Sequence, residues 1–277
     1  MRKPIKSLVP LFVHCSSAET ATTLVFADSA IFSPLLSNAM EKLSGKNILI
    51  VGATGGIGRE TARILKPSGA HLFLMGRKSD ELSALANELR IPIHHCFITD
   101  ITEPAQVDAA ATMIHAEAGA LDVLINAAGV GIIKPMETLT HEDLMQSLNI
   151  NLVGAFNLLK AFLPPMKERK KGLIINLPGV LGKTPMAGAA AYSASKYGLN
   201  GMLKSVREEL KRTDIRITNI FLGGTDTPFW DTIDMRVQRD KFVSAEEAAR
   251  AIWYLCQQPS SGVVSEMVLQ PFNHQAI

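Results

Sequence analysis

Residues 47–58 read Asn47-Ile-Leu-Ile-Val51-Gly52-Ala-Thr-Gly-Gly-Ile-Gly58, an apolar run followed at once by a glycine-rich turn. The run is typical of a buried β-strand, and the residues from Gly56 to Leu65 have the spacing of a helix. Glycines at such a turn let the backbone approach a pyrophosphate, whose charge is stabilised by the N–H groups that begin the helix. The pattern predicts a dinucleotide-binding loop made of Gly52, Thr54, Gly55, Gly56, Ile57 and Gly58.

On the C-terminal side of this stretch, short apolar runs alternate with segments of helical spacing, which is the pattern of a parallel sheet covered by helices. Most of the runs are apolar without alternation, as expected when both faces of the sheet are buried. We predict an α/β fold with a doubly wound parallel seven-stranded sheet, Rossmann-type and in three layers. The predicted strands are Asn47–Val51, His71–Met75, Ile93–Ile98, Leu121–Ile125, Leu173–Leu177, Arg216–Phe221 and Met267–Leu269.

The helices between these strands have recognisable start signals. Ser79 is predicted to cap the second helix, and Pro104 suits the first turn of the third. Thr140 and Asp143 form a capping-box pattern for a long helix that reaches Phe162. Two further helices are predicted, one from Tyr192 to Leu210 and a last one that starts at Ser244.

Composition limits the class of protein. The 277 residues are 47% hydrophobic and 19% charged, with a net charge of +2, which is typical of a globular domain and indicates no nucleic-acid partner. No run approaches the ~18 apolar residues of a membrane span. The three cysteines are scattered without a Cys-x-x-Cys spacing, which indicates a reducing compartment and predicts a cytoplasmic protein.

The first 39 residues differ from the rest because they are rich in Ser, Thr and Ala and contain two acidic residues. Pro10 and His14 interrupt the apolar run that a signal peptide needs. Two alternatives stay open, an organelle leader or a true start at Met40. Either way we predict one dinucleotide-binding domain over residues 40–277, with a short lid at 228–241.

The end of the second strand indicates which dinucleotide is bound. An NAD site usually offers a carboxylate there for the ribose 2′-hydroxyl, whereas this chain offers Arg77 and Lys78. A guanidinium can grip a 2′-phosphate in a bidentate manner. The sequence therefore favours NADP over NAD.

The histidine doublet His94-His95 is the main candidate for metal binding. No acidic or sulfur ligand stands at a metal-ligand spacing from it. We therefore expect one ring in the core, the other outside on a strand, and no metal site.

Several further motifs follow the glycine loop in a fixed order. They are Asp100 after the third strand, Asn126-Ala127-Ala128-Gly129 after the fourth, Asn151-Leu-Val-Gly154, Tyr192-Ser-Ala-Ser-Lys196 and Gly223-x-x-x-Thr227. Together, over residues 42 to 275, they make the chain resemble the short-chain dehydrogenase/reductase family.

The resemblance implies a role for each matching residue. Tyr192 would be the acid/base that donates its proton as a hydride reaches a carbonyl carbon. Lys196 would bind the nicotinamide ribose and lower the pKa of Tyr192, and Asn151 would hold a water that links Lys196 to solvent. The implied cofactor contacts are Asp100, Ile101, Asn126, Ala127, Ala128, Gly129, Tyr192, Lys196, Gly223, Thr225 and Thr227.

One departure from the family pattern concerns catalysis. Gly179 stands thirteen residues before Tyr192, where the family has a catalytic serine, and Pro178 precedes it. Losing one preorganised hydrogen-bond donor typically costs ~10²–10³ in rate. Three alternatives follow: Tyr192 acts alone, another donor such as the Gly179 N–H or Thr184 substitutes, or the protein binds a dinucleotide without catalysis.

The expected substrate is a small apolar carbonyl or the corresponding alcohol. In doubly wound folds the ligand lies beyond the carboxyl ends of the strands. Candidate substrate contacts there are Gly131, Ile132, Gly179, Leu181, Met186, Phe229 and Trp230. The resemblance also implies a homodimer or homotetramer built on helices 141–162 and 192–210.

Overall fold

The computed structural model of the protein describes residues 40–259 and 261–272. Its strands are β1 Asn47–Val51, β2 His71–Gly76, β3 Cys96–Ile98, β4 Val123–Asn126, β5 Lys171–Asn176, β6 Asp214–Leu222, β7 Thr225–Asp226, β8 Val243–Ser244 and β9 Glu266–Leu269. Seven of them form one parallel sheet in the order β3-β2-β1-β4-β5-β6-β9, while β7 and β8 pair separately. The predicted extension, residues 1–39, lies outside the described residues.

Helices cover both faces of this sheet. They are α1 Gly56–Leu65, α2 Ser79–Leu89, α3 Pro104–Ala118, α4 His141–Leu148, α5 Gly154–Glu168, α6 Ala190–Glu209 and α7 Ala245–Cys256. Leu49 packs in the core that α3, α5 and α6 cover, whereas its neighbours Ile48 and Ile50 pack in the core under α1, α2 and α7. Because successive strand residues point to opposite faces, continuous apolar strands supply both cores. The predicted three-layer, doubly wound fold is confirmed.

Several predicted boundaries are wrong for local reasons. The third strand begins at Cys96, not Ile93, because residues 93–95 form a short turn that the His95 N–H closes on the Pro92 carbonyl. Ser79 is the first residue of α2, and Lys78 occupies the cap position without a side-chain hydrogen bond.

The predicted long helix from residue 141 is interrupted and runs further than expected. A π-helical turn, Asn149–Val153, separates α4 from α5, and α5 continues to Glu168. The capping box of Thr140 with Asp143 is confirmed. Ser244 forms a second capping box, with Glu247, immediately before α7.

The strand order reverses between β1 and β4, which places a crevice at their carboxyl ends. The loops that follow these two strands begin at Gly52 and Ala127. Within the described residues, no helix is both long and apolar enough to cross a membrane.

Candidate active site

The glycine loop after β1 is shaped by close backbone contacts. Gly52 has φ +75°, and a Cβ there would lie 2.7 Å from the Ala128 nitrogen. A Cβ on Gly58 would collide with the Gly52 carbonyl oxygen. Only glycine fits at both positions, so the loop between β1 and α1 has a single compact path.

The start of α1 faces this crevice with its backbone N–H groups uncapped by a side chain. Gly55 is the cap residue and carries no acceptor, and no acidic residue stands in the first turn. Such N–H groups need an acceptor from elsewhere, and the helix dipole favours an anion there. This end of α1 can hold a phosphate group.

One end of the crevice is a cavity of about 180 Å³ beside the glycine loop. Arg77 lies at its rim with a side chain 63% exposed, and its guanidinium is 3.8 Å from the Asp100 carboxylate. Lys78 contacts Glu81 at 2.6 Å and is also exposed. The predicted cofactor residues that line this cavity are Gly52, Thr54, Gly55, Arg77, Lys78, Asp100, Ile101, Ala127, Ala128 and Gly129.

Asp100 is held as a carboxylate. Burial alone would raise its pKa, but hydrogen bonds from the Thr102 backbone and hydroxyl, at 2.9 and 2.8 Å, and the charge of Arg77 lower it below its usual range. One carboxylate oxygen is thus engaged by Thr102, and the other faces Arg77.

The other end of the crevice is a larger cavity of about 280 Å³. Ala127, Ala128 and Gly129 line it as well, so the loop after β4 joins the two cavities. The other predicted residues on its wall are Ile57, Gly179, Leu181, Met186, Tyr192, Lys196, Gly223, Thr225, Thr227, Phe229 and Trp230. Most of this wall is apolar, and among the described lining residues Lys196 carries the one charge.

Tyr192 and Lys196 stand one helical turn apart on α6. The Lys196 ammonium lies 5.5 Å from the centre of the Tyr192 ring and donates to the Leu177 carbonyl at 3.0 Å. Burial lowers the pKa of Lys196 to about 8. Burial also raises the pKa of Tyr192 above its ordinary value. The expected lowering is therefore wrong for this arrangement, because apolar side chains surround the phenol and the ammonium is turned toward Leu177.

Asn151 braces this part of the site from the π-helical turn. It is 2% exposed, and its amide exchanges two hydrogen bonds of 2.9 Å with the backbone of Val130. Its side-chain nitrogen also donates to the Ser195 hydroxyl, which donates to the Tyr192 carbonyl. Asn151 therefore ties the loop after β4 to the turn of α6 that carries Tyr192, and its water-holding role stays a prediction.

The remaining predicted cofactor residues lie beneath the cavities. Gly56 packs under Thr227, where an added Cβ would be 2.7 Å from the Thr227 side chain. Asn126 is buried, with its amide donating to Asn176 at 3.3 Å and accepting from the Ala128 N–H at 3.2 Å. Together with Gly58, these residues shape the crevice from below.

Gly179 adopts a backbone conformation that a serine would not readily share. Its φ is +70° and its ψ 167°, a region that is essentially restricted to glycine. Its N–H donates to the Ile220 carbonyl at 3.3 Å, and Thr184 lines neither cavity. The two substitute donors expected from the sequence are therefore not offered to the larger cavity.

Two expected substrate contacts, Gly131 and Ile132, do not line the larger cavity. The Phe229 ring lies directly against Gly131, so Gly131 supports this ring instead of lining the cavity. Ile132 is buried, and its neighbour Ile133 lines the cavity instead. Sequence reasoning also missed several wall residues that belong to no motif, namely Ile133, Val180, Met235, Val237, Gln238 and Phe242.

The predicted lid at 228–241 consists of two short helical turns and the segment that joins them. Strands β7 and β8 pair at its base. Arg239 fastens it with hydrogen bonds to Asp226, to Asp231 and to the Thr227 carbonyl. A row of rings, Phe229, Trp230 and Phe242, packs from the lid toward Tyr192 at centroid separations of 5.1–5.9 Å.

Known proteins resemble this chain in sequence and fold. Residues 46–237 match the family described as short chain dehydrogenase. The chain is 36% identical over 217 residues to oxidoreductase UcpA of Salmonella typhimurium, covering 77% of this chain and 82% of that protein. It is 30% identical over 232 residues to an uncharacterized oxidoreductase of Staphylococcus epidermidis, covering 84% of this chain and all of that one.

A solved metagenomic short-chain oxidoreductase in complex with NADP has the same fold. Its TM-score is 0.71 at 30% identity, over 83% of this chain and 99% of that one. The chain therefore belongs to the short-chain dehydrogenase family of oxidoreductases.

Proposed function

We propose that this protein reduces small, neutral, apolar carbonyl compounds with NADPH, or oxidises the corresponding alcohols with NADP⁺. The observation that carries the proposal is the position of Tyr192 and Lys196. Both face an apolar cavity that is continuous, through Ala127–Gly129, with the glycine loop at the start of α1.

The residues present fit a dinucleotide across the two cavities. The uncapped N–H groups of α1 would hold the pyrophosphate, and the smaller cavity beside Asp100 and Ile101 would hold the adenosine. Thr225 and Thr227 would flank the nicotinamide end in the larger cavity. The solved short-chain oxidoreductase in complex with NADP supports a dinucleotide site in this fold.

The chain's own residues would carry the proton chemistry. Bound NADPH supplies the hydride. The Tyr192 hydroxyl would hydrogen-bond the substrate oxygen and give it a proton, and the raised pKa of Tyr192 keeps that proton in place at neutral pH. Lys196 remains largely protonated at neutral pH, and its charge would stabilise the phenolate left after transfer.

Tyr192 would polarise the substrate without help from a serine. The hydroxyls of Thr225 and Thr227 donate to backbone carbonyls, those of Gly223 and Thr225. We therefore expect turnover about 10²–10³ below that of an enzyme with the second donor in place.

Neutral substrates are favoured by the cavity wall. A substrate carboxylate would be desolvated among Leu181, Met186 and Phe229, with Lys196 already bonded to Leu177. The experiment is to follow loss of reduced cofactor with pairs of compounds that share a carbon skeleton, a methyl ketone against the 2-oxo acid. We expect the ketone to have a kcat/KM higher by ~10²-fold or more. Turnover of the acid alone would contradict the proposal.

The second candidate function, dinucleotide binding without catalysis, is favoured by the conformation of Gly179. The two functions differ in a measurable way. Tight NADPH binding with no cofactor oxidation on any ketone or aldehyde would support the binding protein and exclude the reductase.

The preference for NADPH is assigned to Arg77. In Arg77→Ala we expect NADPH affinity to fall ~10–100-fold because a bidentate contact to the 2′-phosphate is lost, while NADH affinity stays the same. The measurement is the dissociation constant of each cofactor by calorimetric titration. Lys160→Ala removes an exposed charge on α5 and serves as the control. An unchanged ratio of the two affinities in Arg77→Ala would remove Arg77 from this role.

We also propose a homo-oligomer formed through α5, α6 and the π-helical turn. Apolar side chains are exposed there, with Phe156 at 49% and Tyr197 at 42%. An exposed apolar patch of this kind commonly marks a protein contact.

A further inference from the structure

A cluster of His94, His95 and Glu117 lies outside the proposed active site. The two histidines occupy the turn before β3, and Glu117 stands in the last turn of α3. The cluster therefore lies at the amino-terminal edge of the sheet, opposite the crevice. The ring nitrogens and a carboxylate oxygen lie within 4.8 Å of one another.

The surroundings of His95 fix the orientation of its ring. Its side chain is 13% exposed, and the ring stacks on Phe73 with centroids 4.3 Å apart. Its Nδ1 lies 3.1 Å from the Leu72 carbonyl oxygen. Only an N–H group can face a carbonyl at this distance, so Nδ1 carries a proton and Nε2 is the ring nitrogen that faces Glu117.

The Glu117 carboxylate offers only electron pairs to the two ring nitrogens that face it. His95 Nε2 lies 2.6 Å from Glu117 Oε1, and His94 Nε2 lies 3.2 Å from the same oxygen. Either a proton or a metal cation must lie between an imidazole nitrogen and a carboxylate oxygen at these separations. A single proton could bridge one of these pairs, whereas a cation can serve all three groups at once.

We propose that His94, His95 and Glu117 bind one Zn²⁺ ion. Two imidazole nitrogens and one carboxylate oxygen are a ligand set that Zn²⁺ accepts, with water as the fourth ligand. Tetrahedral Zn²⁺ with ligands at ~2.1 Å needs donor atoms ~3.4 Å apart, so the Glu117 carboxylate would move back from His95 Nε2, which is 2.6 Å away. The His94 side chain is 64% exposed and free to turn toward that position, while the hydrogen bond to the Leu72 carbonyl holds the His95 ring in its orientation.

The ion would fasten the end of α3 to the turn before β3. The site is far from Tyr192 in the fold, so its role would be structural. The sequence did not predict this site because Glu117 is 22 residues from His95 in the chain. The path of α3 places the two side chains next to each other.

The test is zinc titration of the full chain without a histidine tag, after removal of bound metal by a chelator. We expect one equivalent of Zn²⁺ to bind with a dissociation constant of ~1 µM or tighter, and Tm to rise by ~5 °C at a hundredfold excess over this constant. His94→Gln and Glu117→Gln are expected to weaken binding at least tenfold. His141→Gln, which changes an exposed histidine at the start of α4, should bind as the wild type does.

Two results would overturn the proposal. One is no saturable zinc binding below ~100 µM, which would mean that the cluster is an imidazolium–carboxylate pair. The other is equal binding by the wild type and both cluster variants, which would place the metal elsewhere. Cofactor binding, measured in parallel, should stay the same in every variant, because the cluster and the crevice lie at opposite edges of the sheet.

Discussion

Tyr192→Phe is expected to lower kcat/KM for ketone reduction by ~10³-fold or more while the protein still binds NADPH. The phenol hydroxyl is the one donor that we assign to the substrate oxygen, and general acid catalysis typically contributes ~10²–10⁴. Gly179 offers no hydroxyl in its place. The ring itself is retained, so its packing against Phe229 at 5.9 Å should persist.

The matched control for this variant is Tyr197→Phe on the same helix. Tyr197 is 42% exposed, outside both cavities, and loss of its hydroxyl should leave turnover unchanged. Initial rates and NADPH dissociation constants should be measured for both variants. If Tyr192→Phe keeps more than a tenth of the wild-type rate, another group donates the proton, and Gln238 on the cavity wall would be the next residue to test.

Most of the fold could be predicted because its signals are local. An apolar strand followed by Gly52 specifies a turn that only glycine can make, and a run such as Leu173–Leu177 is apolar enough to be recognised as a strand, which the structure extends to Lys171–Asn176. A predicted strand boundary is wrong where a local hydrogen bond competes with strand pairing, as in the turn closed by the hydrogen bond from the His95 N–H to the Pro92 carbonyl. The π-helical turn at Asn149–Val153 has no such signal, since its residues differ little from ordinary helical sequence.

The site was predictable where residues belong to a spaced motif. Tyr192 and Lys196 are four residues apart on a predicted helix. Residues at this spacing share a helix face, so their proximity follows from the sequence. Met235 and Val237 in the lid, and Phe242 directly after it, reach the cavity through a loop path that no periodicity encodes. The direction of the Tyr192 pKa shift could not be predicted from the sequence either, because it depends on how much apolar surface packs around the phenol.

Lys196→Met is expected to lose at least ~10²-fold in reduction rate without losing stability. The ammonium is the charge nearest the phenolate that Tyr192 would form, and in a cavity of low polarity no other described side chain replaces it. Its pKa falls from 10.5 to about 8 on folding, so burying the charge costs folding free energy. The methionine removes this cost at similar volume but leaves the Leu177 carbonyl without its donor. We expect the free energy of unfolding at neutral pH to stay equal or to rise by about 1–2 kcal/mol.

The pH dependence of stability and of reduction rate distinguishes the loss of the Lys196 charge from a loss of packing. A group with a lowered pKa in the folded state makes its full contribution to stability above its unfolded pKa of 10.5, and loses it as pH falls through about 8. Wild-type stability should thus gain from this residue as pH rises from 8 to 10.5, and Lys196→Met should lack that gain. The wild-type reduction rate should fall above pH 8, where Lys196 loses its charge. Urea unfolding and initial rates across this range, with Lys160→Met as the exposed control, would measure both. A variant that unfolds more easily at every pH would contradict the expected stability, and an unchanged reduction rate would remove Lys196 from catalysis.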